Sequence, residues 1–349
     1  MAKISVKART SSATITDVAR ELGVSISTVS RALTRPQLLR PETRARVLAA
    51  VEQLNYRPNL LARGLKSGRA GAILLVVPNL SPFFMEIFAG AEEAAHEAGF
   101  SVLLGHSAED PAREIACFDQ VASGRADGII SAAVPSIYAS GKRPLPPLVM
   151  VMERCPERTV PLIRVDDDTG AMRATEHLIG LGHRRIAHIC GNKKAQSSAR
   201  RLEGYRRALD QAGLRAQPEW IHPGDYSVQS GMDAVRRLML LKHPPTAIFC
   251  ANDEMAYGAI HALHLLGLRV PQDISIAGCD DQNMAAYSSP PLTTLHIPRH
   301  DLGRRAALEL IDKLQGRDVA HEVLLPTRLV VRESTAAPAA ASRARPAPR

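Results

Sequence analysis

Apolar positions fall into two regimes along the chain. Between residues 13 and 57 they recur at three- and four-residue intervals: Val18, Ala19 and Leu22, then Val29, Ala32 and Leu33, then Val47, Leu48, Val51 and Leu54. That spacing places them on one face of each of three short helices. Thr16 stands where it can cap the first helix and Gly23 breaks it; a second starts at Ser25 and runs until Pro36; a third opens with Pro41 and Glu42. The break is only Gly23, Val24 and Ser25. It is too short for antiparallel packing and suits a helix-turn-helix.

From residue 72 the pattern changes to short apolar runs alternating with helical stretches. Strands are predicted at 72–77, 101–104, 128–131, 148–152, 185–190, 247–250 and 274–279. Helices are predicted near 83–98, 114–123, 170–181, 202–211, 231–241, 255–265 and 301–314. Strict βα alternation implies parallel sheets covered on both faces. More than ten elements in this stretch favour two doubly wound lobes over one, with the candidate ligand site at the strand carboxyl ends, in the cleft between lobes. Residues 58–70 hold barely two turns of helix formers and predict a linker that becomes helical only against a partner. Residues 1–12 and 335–349, rich in Ala, Pro, Ser and Arg without hydrophobic period, are expected to be disordered. The head is thus 13–57 and the core 71–334.

Charge sharpens this division. The 349-residue chain carries a formal net charge of +9, and its first 70 residues hold 13 Lys/Arg against 4 Asp/Glu, while the rest holds 31 of each. A basic module ahead of a neutral body implies a polyanionic partner for the module alone. No apolar run approaches the roughly 20 residues of a membrane helix, and residues 1–12 lack the apolar stretch of a secretory signal, so a cytoplasmic protein without membrane contact is expected. Cys117, Cys155, Cys190, Cys250 and Cys279 are odd in number and scattered, as reduced thiols acting as small hydrophobes would be.

Motifs for catalysis are missing. The chain contains no GxSxG, GxxxxGK, GxGxxG or HExxH, so neither an enzyme nor a cofactor is expected. Asp166, Asp167 and Asp168 abut a predicted helix start, where carboxylates favour the dipole over any metal role. His261 and His264 lack a third ligand.

The stretch ATITDVARELGVSISTVSRAL (13–33), with TRARV (43–47) and YRPNLLARGLKSG (56–68), resembles the DNA-binding head and hinge of the lactose and purine repressor family. The resemblance continues through HLIGLGHRRIAHI (177–189), PPTAIFCANDEMAYGAI (244–260), GLRVPQDISIAGCDD (267–281) and PPLTTLHIP (290–298). Within the family, VVPNLSPFFMEI (76–87) is most similar to the cytidine-responsive repressors. The resemblance implies a homodimeric transcriptional regulator, probing a pseudo-palindromic double-stranded operator with its second helix in the major groove and its hinge in the minor groove. It also implies a core like periplasmic sugar-binding proteins, sensing a nucleoside, sugar or sugar acid. A transport solute-binding module, or an activator with the same head, are the alternatives.

By that resemblance Ile26 and Ser27 would be the main base readers, Arg31 would reach guanine, Thr28 or Ser30 would lie nearer phosphate, and Thr16 and Ser25 would also contact DNA. In the hinge, Asn59, Ala62, Arg63 and Lys66 would contact DNA and Leu65 would wedge into the central base step. The effector would meet Phe83, Phe84, Ser197, Arg201, Tyr226, Asp253 and Asp280. Three positions depart from the family. Arg40 replaces a common capping Ser, Ala195 replaces an arginine of the purine repressor, and Asp167 replaces a usual Asn.

Overall fold

The computed structural model describes residues 13–34, 36–56, 69–133, 138, 140–157 and 159–339. The chain forms two compact units, Met1–Ala70 and Gly71–Arg349.

In the first unit, helices α1 (Ile15–Leu22), α2 (Ile26–Thr34) and α3 (Pro41–Gln53) bury Val18, Val29 and Val47 against one another. The cap of α1 is Thr14 rather than the expected Thr16. The Thr14 hydroxyl accepts from Asp17 N at 3.3 Å while the Asp17 carboxylate accepts from Thr14 N at 2.9 Å, satisfying two orphan amides at once. Gly23 ends α1 at φ 66°, a left-handed turn that favours glycine, and lets Val24 N donate to Ala19 O at 3.0 Å. Ser25 precedes α2, its hydroxyl accepting from Thr28 N at 3.1 Å. Arg40 gives α3 no side-chain cap, as its side chain dictates.

The second unit holds two six-stranded sheets. The first is ordered β11-β5-β4-β3-β1-β2. Its strands are β1 (Ala72–Val77), β2 (Ser101–His106), β3 (Gly128–Ser131), β4 (Leu148–Val151), β5 (Leu162–Val165) and β11 (Glu322–Leu325). The second is ordered β12-β10-β9-β8-β6-β7, from β6 (Ile186–Ile189), β7 (Ile221–His222), β8 (Ala247–Cys250), β9 (Ser275–Asp280), β10 (Thr293–His296) and β12 (Arg328–Val330). Neighbouring strands run parallel except β10 and β12. The helices are α4 (Pro82–Glu97), α5 (Pro111–Ala122), α6 (Asp167–Gly180), α7 (Gln196–Gln211), α8 (Val228–Leu238), α9 (Asp253–Leu265) and α10 (Arg299–Leu314).

Strands β5, β7, β10, β11 and β12 were not among the predicted elements, being two to four residues long with little hydrophobic run of their own. Between β4 and β5, among the described residues, strand follows strand without a helix, which loosens the expected strict alternation. Several helices begin earlier than predicted because their first turns are polar. Helix α7 opens six residues ahead of its first periodic leucine, Leu202.

The chain passes between lobes three times: at Asp166 between β5 and α6, at Ile297 and Pro298 between β10 and α10, and at Pro326 and Thr327 between β11 and β12. The outer crossings are stitched together. Asp166 N donates to Leu325 O at 3.0 Å and the Thr327 hydroxyl donates to Asp166 O at 3.2 Å. Helices α4 and α10 approach so closely that a Cβ on Gly303 would stand 1.8 Å from Ile87 O.

The expected disorder from residue 335 onward is corrected by residues 335–339. The Thr335 hydroxyl lies 2.9 Å from His177 Nε2, and Ala336 N donates to the Ser275 hydroxyl at 3.1 Å while its carbonyl accepts from that hydroxyl at 3.0 Å. These partners supply the order that the local composition does not.

Candidate nucleic-acid interface and ligand cleft

On α2 the buried face is Val29 and Ala32, and the opposite face presents Ser25, Ile26, Ser27 and Arg31 to solvent. Ile26 is 47% exposed; Leu38 and Leu48 are exposed elsewhere in this unit, but Ile26 alone of the three stands among the exposed polar side chains at the start of α2. Thr28 and Ser30 are half-buried at the flank, and Thr16 is exposed on α1. The Ser25 hydroxyl sits 2.7 Å from that of Ser27 and 2.8 Å from that of Thr28, so three hydroxyls cluster at the start of α2. The hinge candidates Asn59, Ala62, Arg63, Leu65 and Lys66 lie outside the described residues.

Between the lobes is a cavity of about 960 Å³. Six of the seven expected effector residues line it: Phe83, Phe84, Ser197, Arg201, Tyr226 and Asp280. Phe83 and Phe84 follow β1 in the first turn of α4, their rings 5.3 Å apart and edge to face at 81°. Across the cavity, Arg201 projects from α7 and its Nε donates to Asp167 Oδ1 at 2.8 Å, with Nη1 bonding Ala251 O. Asp167, at the start of α6, is therefore the buried counter-ion of Arg201. Among the described residues no group of His, Cys, Asp or Glu could hold a metal ion.

Asp280 ends β9 at φ 128° and is buried; burial pushes its carboxyl up to about 8, which the nearby Arg201 only partly offsets. Tyr226, at φ 71°, is accommodated by Gly191, where a Cβ would stand 2.1 Å from the tyrosine ring.

Asp253 is the exception. Its carboxylate accepts from the Thr294 hydroxyl at 2.5 Å and from Gln282 N at 2.8 Å, so it faces the loop after β9 and does not line the cavity. Burial raises it to about 6 against the Thr294 bond. Its bonds to Thr294 and Gln282 tie the start of α9 to β10 and to the loop after β9.

Sequence reasoning missed other lining residues, among them Glu114, Glu153, Asn192, Asn252, Glu254 and Gln282. Asn192, Asn252 and Gln282 each follow the carboxyl end of a strand, the rule that located Phe83 and Asp280, and could have been found by it. Among the described residues, no helix is long and apolar enough to cross a membrane.

Comparison with known proteins places this architecture. Residues 14–59 match the family described as bacterial regulatory proteins, lacI family, and residues 175–335 match a periplasmic binding protein-like domain. The chain is 37% identical over 336 residues to the transcriptional repressor CytR of Escherichia coli K12, covering 95% of this chain and 98% of that one. It is 36% identical to the repressor PurR of Haemophilus influenzae, covering 88% and 92%. Among solved structures, the Lac repressor dimer bound to operator and an anti-inducer is similar with a TM-score of 0.83 at 30% identity, covering 94% of this chain and 100% of that one.

Proposed function

Because the chain belongs to the lacI family of bacterial regulatory proteins, and so is a DNA-binding transcriptional regulator controlled by a small molecule, we propose how its residues divide that work. As a homodimer it presents two copies of α2 to a pseudo-palindromic operator, with Ile26, Ser27 and Arg31 at base edges and Thr16, Ser25, Thr28 and Ser30 at the backbone. Leu65, within Asn59, Ala62, Arg63 and Lys66, wedges the minor groove between half-sites. In the cleft, Phe83, Phe84 and Tyr226 flank a ring, and Ser197, Arg201 and Asp280 bond the hydroxyl or amine groups of a nucleoside- or sugar-like effector. The protein acts as a repressor in the cytoplasm and catalyses no reaction.

The observation that carries this reading is the solvent-facing set Ser25, Ile26, Ser27 and Arg31 on a helix whose opposite face, Val29 and Ala32, is buried against α1 and α3. Selection of binding sites from random duplexes tests it. A two-fold symmetric consensus is expected, shifting in its central half-site bases with Ile26→Ala and Arg31→Ala; recovery of duplexes without consensus would refute it. Calorimetry with nucleosides, pentoses and sugar acids tests the cleft.

A further inference from the structure

Three consecutive residues just after β4, Met152, Glu153 and Arg154, reach out of their own lobe and grip the first turn of α7 in the other. Glu153 Oε2 accepts from Gln196 N at 2.7 Å, and its Oε1 accepts from Ser197 N at 3.2 Å and from the Ser197 hydroxyl at 2.9 Å. Arg154 O accepts from the Gln196 side chain at 3.1 Å, and Arg200 Nη2 donates to Met152 O at 2.7 Å. Helix α7 needs this grip, because Ala195 precedes it and offers no side-chain cap. Met152 stands at φ 64°, a left-handed conformation that a methionine adopts only when its surroundings enforce it.

The amides at the start of α7, a 16-residue helix without a cap of its own, are a favourable place in the cleft for an anionic group. Glu153 already fills it. The remaining lining carboxylates are Glu109, Glu114, Asp225, Glu254 and Asp280, against Lys194 and an Arg201 already bonded to Asp167. Burial together with Glu109 and Asp110 raises Glu114, and burial raises Glu254, so charge is already unwelcome there.

We propose that Glu153 is both a latch between lobes and a charge filter: it occupies the anion position of α7 from within and restricts the cleft to uncharged, donor-rich ligands, excluding phosphate esters and sugar acids. The filter rests on the effector reading of the cleft given above, whereas the latch does not. It narrows the effector class to ligands that donate O–H or N–H groups to carboxylates while stacking on Phe83 and Phe84.

The test uses the full-length protein and matched probes, nucleosides and pentoses against their monophosphate esters, measured by calorimetry. In the wild type each ester is expected to bind about a hundredfold more weakly than its parent, the scale of one like-charge contact at ~6 Å in an effective dielectric of ~20. In Glu153→Gln, which keeps the shape and one of the two acceptor oxygens but removes the charge, that ester-to-parent gap should shrink about tenfold, whatever the change in parent affinity. Tighter binding of an ester by the wild type, or an unchanged gap in Glu153→Gln, would overturn the filter. If no uncharged probe binds the wild type, the effector reading itself is wrong. The latch is then decided without ligand by hydrogen exchange: the Gln196 and Ser197 amides should exchange about tenfold faster in Glu153→Ala than in the wild type, as for loss of charge-assisted bonds. Equal exchange would dismiss the latch.

Discussion

Arg201→Met removes the guanidinium from a site where its partner has nowhere else to turn. Asp167 is 1% exposed, and its second oxygen faces only Arg200 Nε at 3.5 Å, too long for a good hydrogen bond. The substitution strands a buried carboxylate and frees the Ala251 carbonyl, a loss of about 3–5 kcal/mol for a buried pair broken on one side. Urea denaturation should register it through Trp220, the chain's single tryptophan, buried beside β6. The same pair makes a double-mutant cycle. Asp167→Asn in the Arg201→Met background removes the stranded charge, so the double variant should be more stable than Arg201→Met alone, with a coupling energy of about 2 kcal/mol. Effector affinity, measured without denaturant, should fall about tenfold or more in Arg201→Met. A stability loss below about 1 kcal/mol with near-zero coupling would refute the counter-ion assignment.

Three further outcomes follow from the packing, the titration and the DNA face. Gly303→Ala drives a Cβ into the backbone of α4 at Ile87 and should cost about 3 kcal/mol or more, whereas Gly180→Ala, whose Cβ meets nothing within 4 Å, should be neutral or stabilising by about 0.5–1 kcal/mol; urea midpoints compare them. Because burial raises Asp280 to about 8, the native state keeps a proton that the unfolded chain releases, so this residue makes stability fall as pH rises from about 4 to 8. Asp280→Asn should flatten that fall in melting curves taken across the window, and an unchanged slope would contradict the burial. Arg31→Ala should weaken operator binding by about 1–3 kcal/mol and relax preference at one symmetric base position, as mobility shifts on single-base operator variants would show.

What the sequence displayed was what depends on neighbours close in the chain. The period of Val18 and Leu22 and of Val29 and Leu33 located the head helices, and the apolar run 72–77 predicted β1 to the residue. The true cap of α1 was legible too, since Thr14 and Asp17 have capping-box spacing, but Thr16 lies nearer the apolar residues and drew the assignment. Asp253 does not line the cavity because a carboxylate following a strand can face either the cleft or the neighbouring loop, and Thr294 and Gln282, 41 and 29 residues away, hold it to the loop. Glu153 was invisible for a stronger reason: its partners belong to the other lobe, 43 and 44 residues on. The tail at 335–339 has the composition of a disordered segment and is ordered by His177 and Ser275, 158 and 61 residues away.

The triple passage between lobes has a consequence for synthesis. Strand β11 is paired to β5 and β12 to β10, so each sheet lacks an edge strand until residues 322–330 have left the ribosome. The head helices, complete by residue 53, depend on no such late arrival. A nascent chain therefore has its DNA-reading unit folded while both sensing lobes still show unpaired edges at Leu162–Val165 and Thr293–His296, the kind of surface that recruits chaperones or a second nascent chain. A chain stopped short of residue 322 would be a head without a switch.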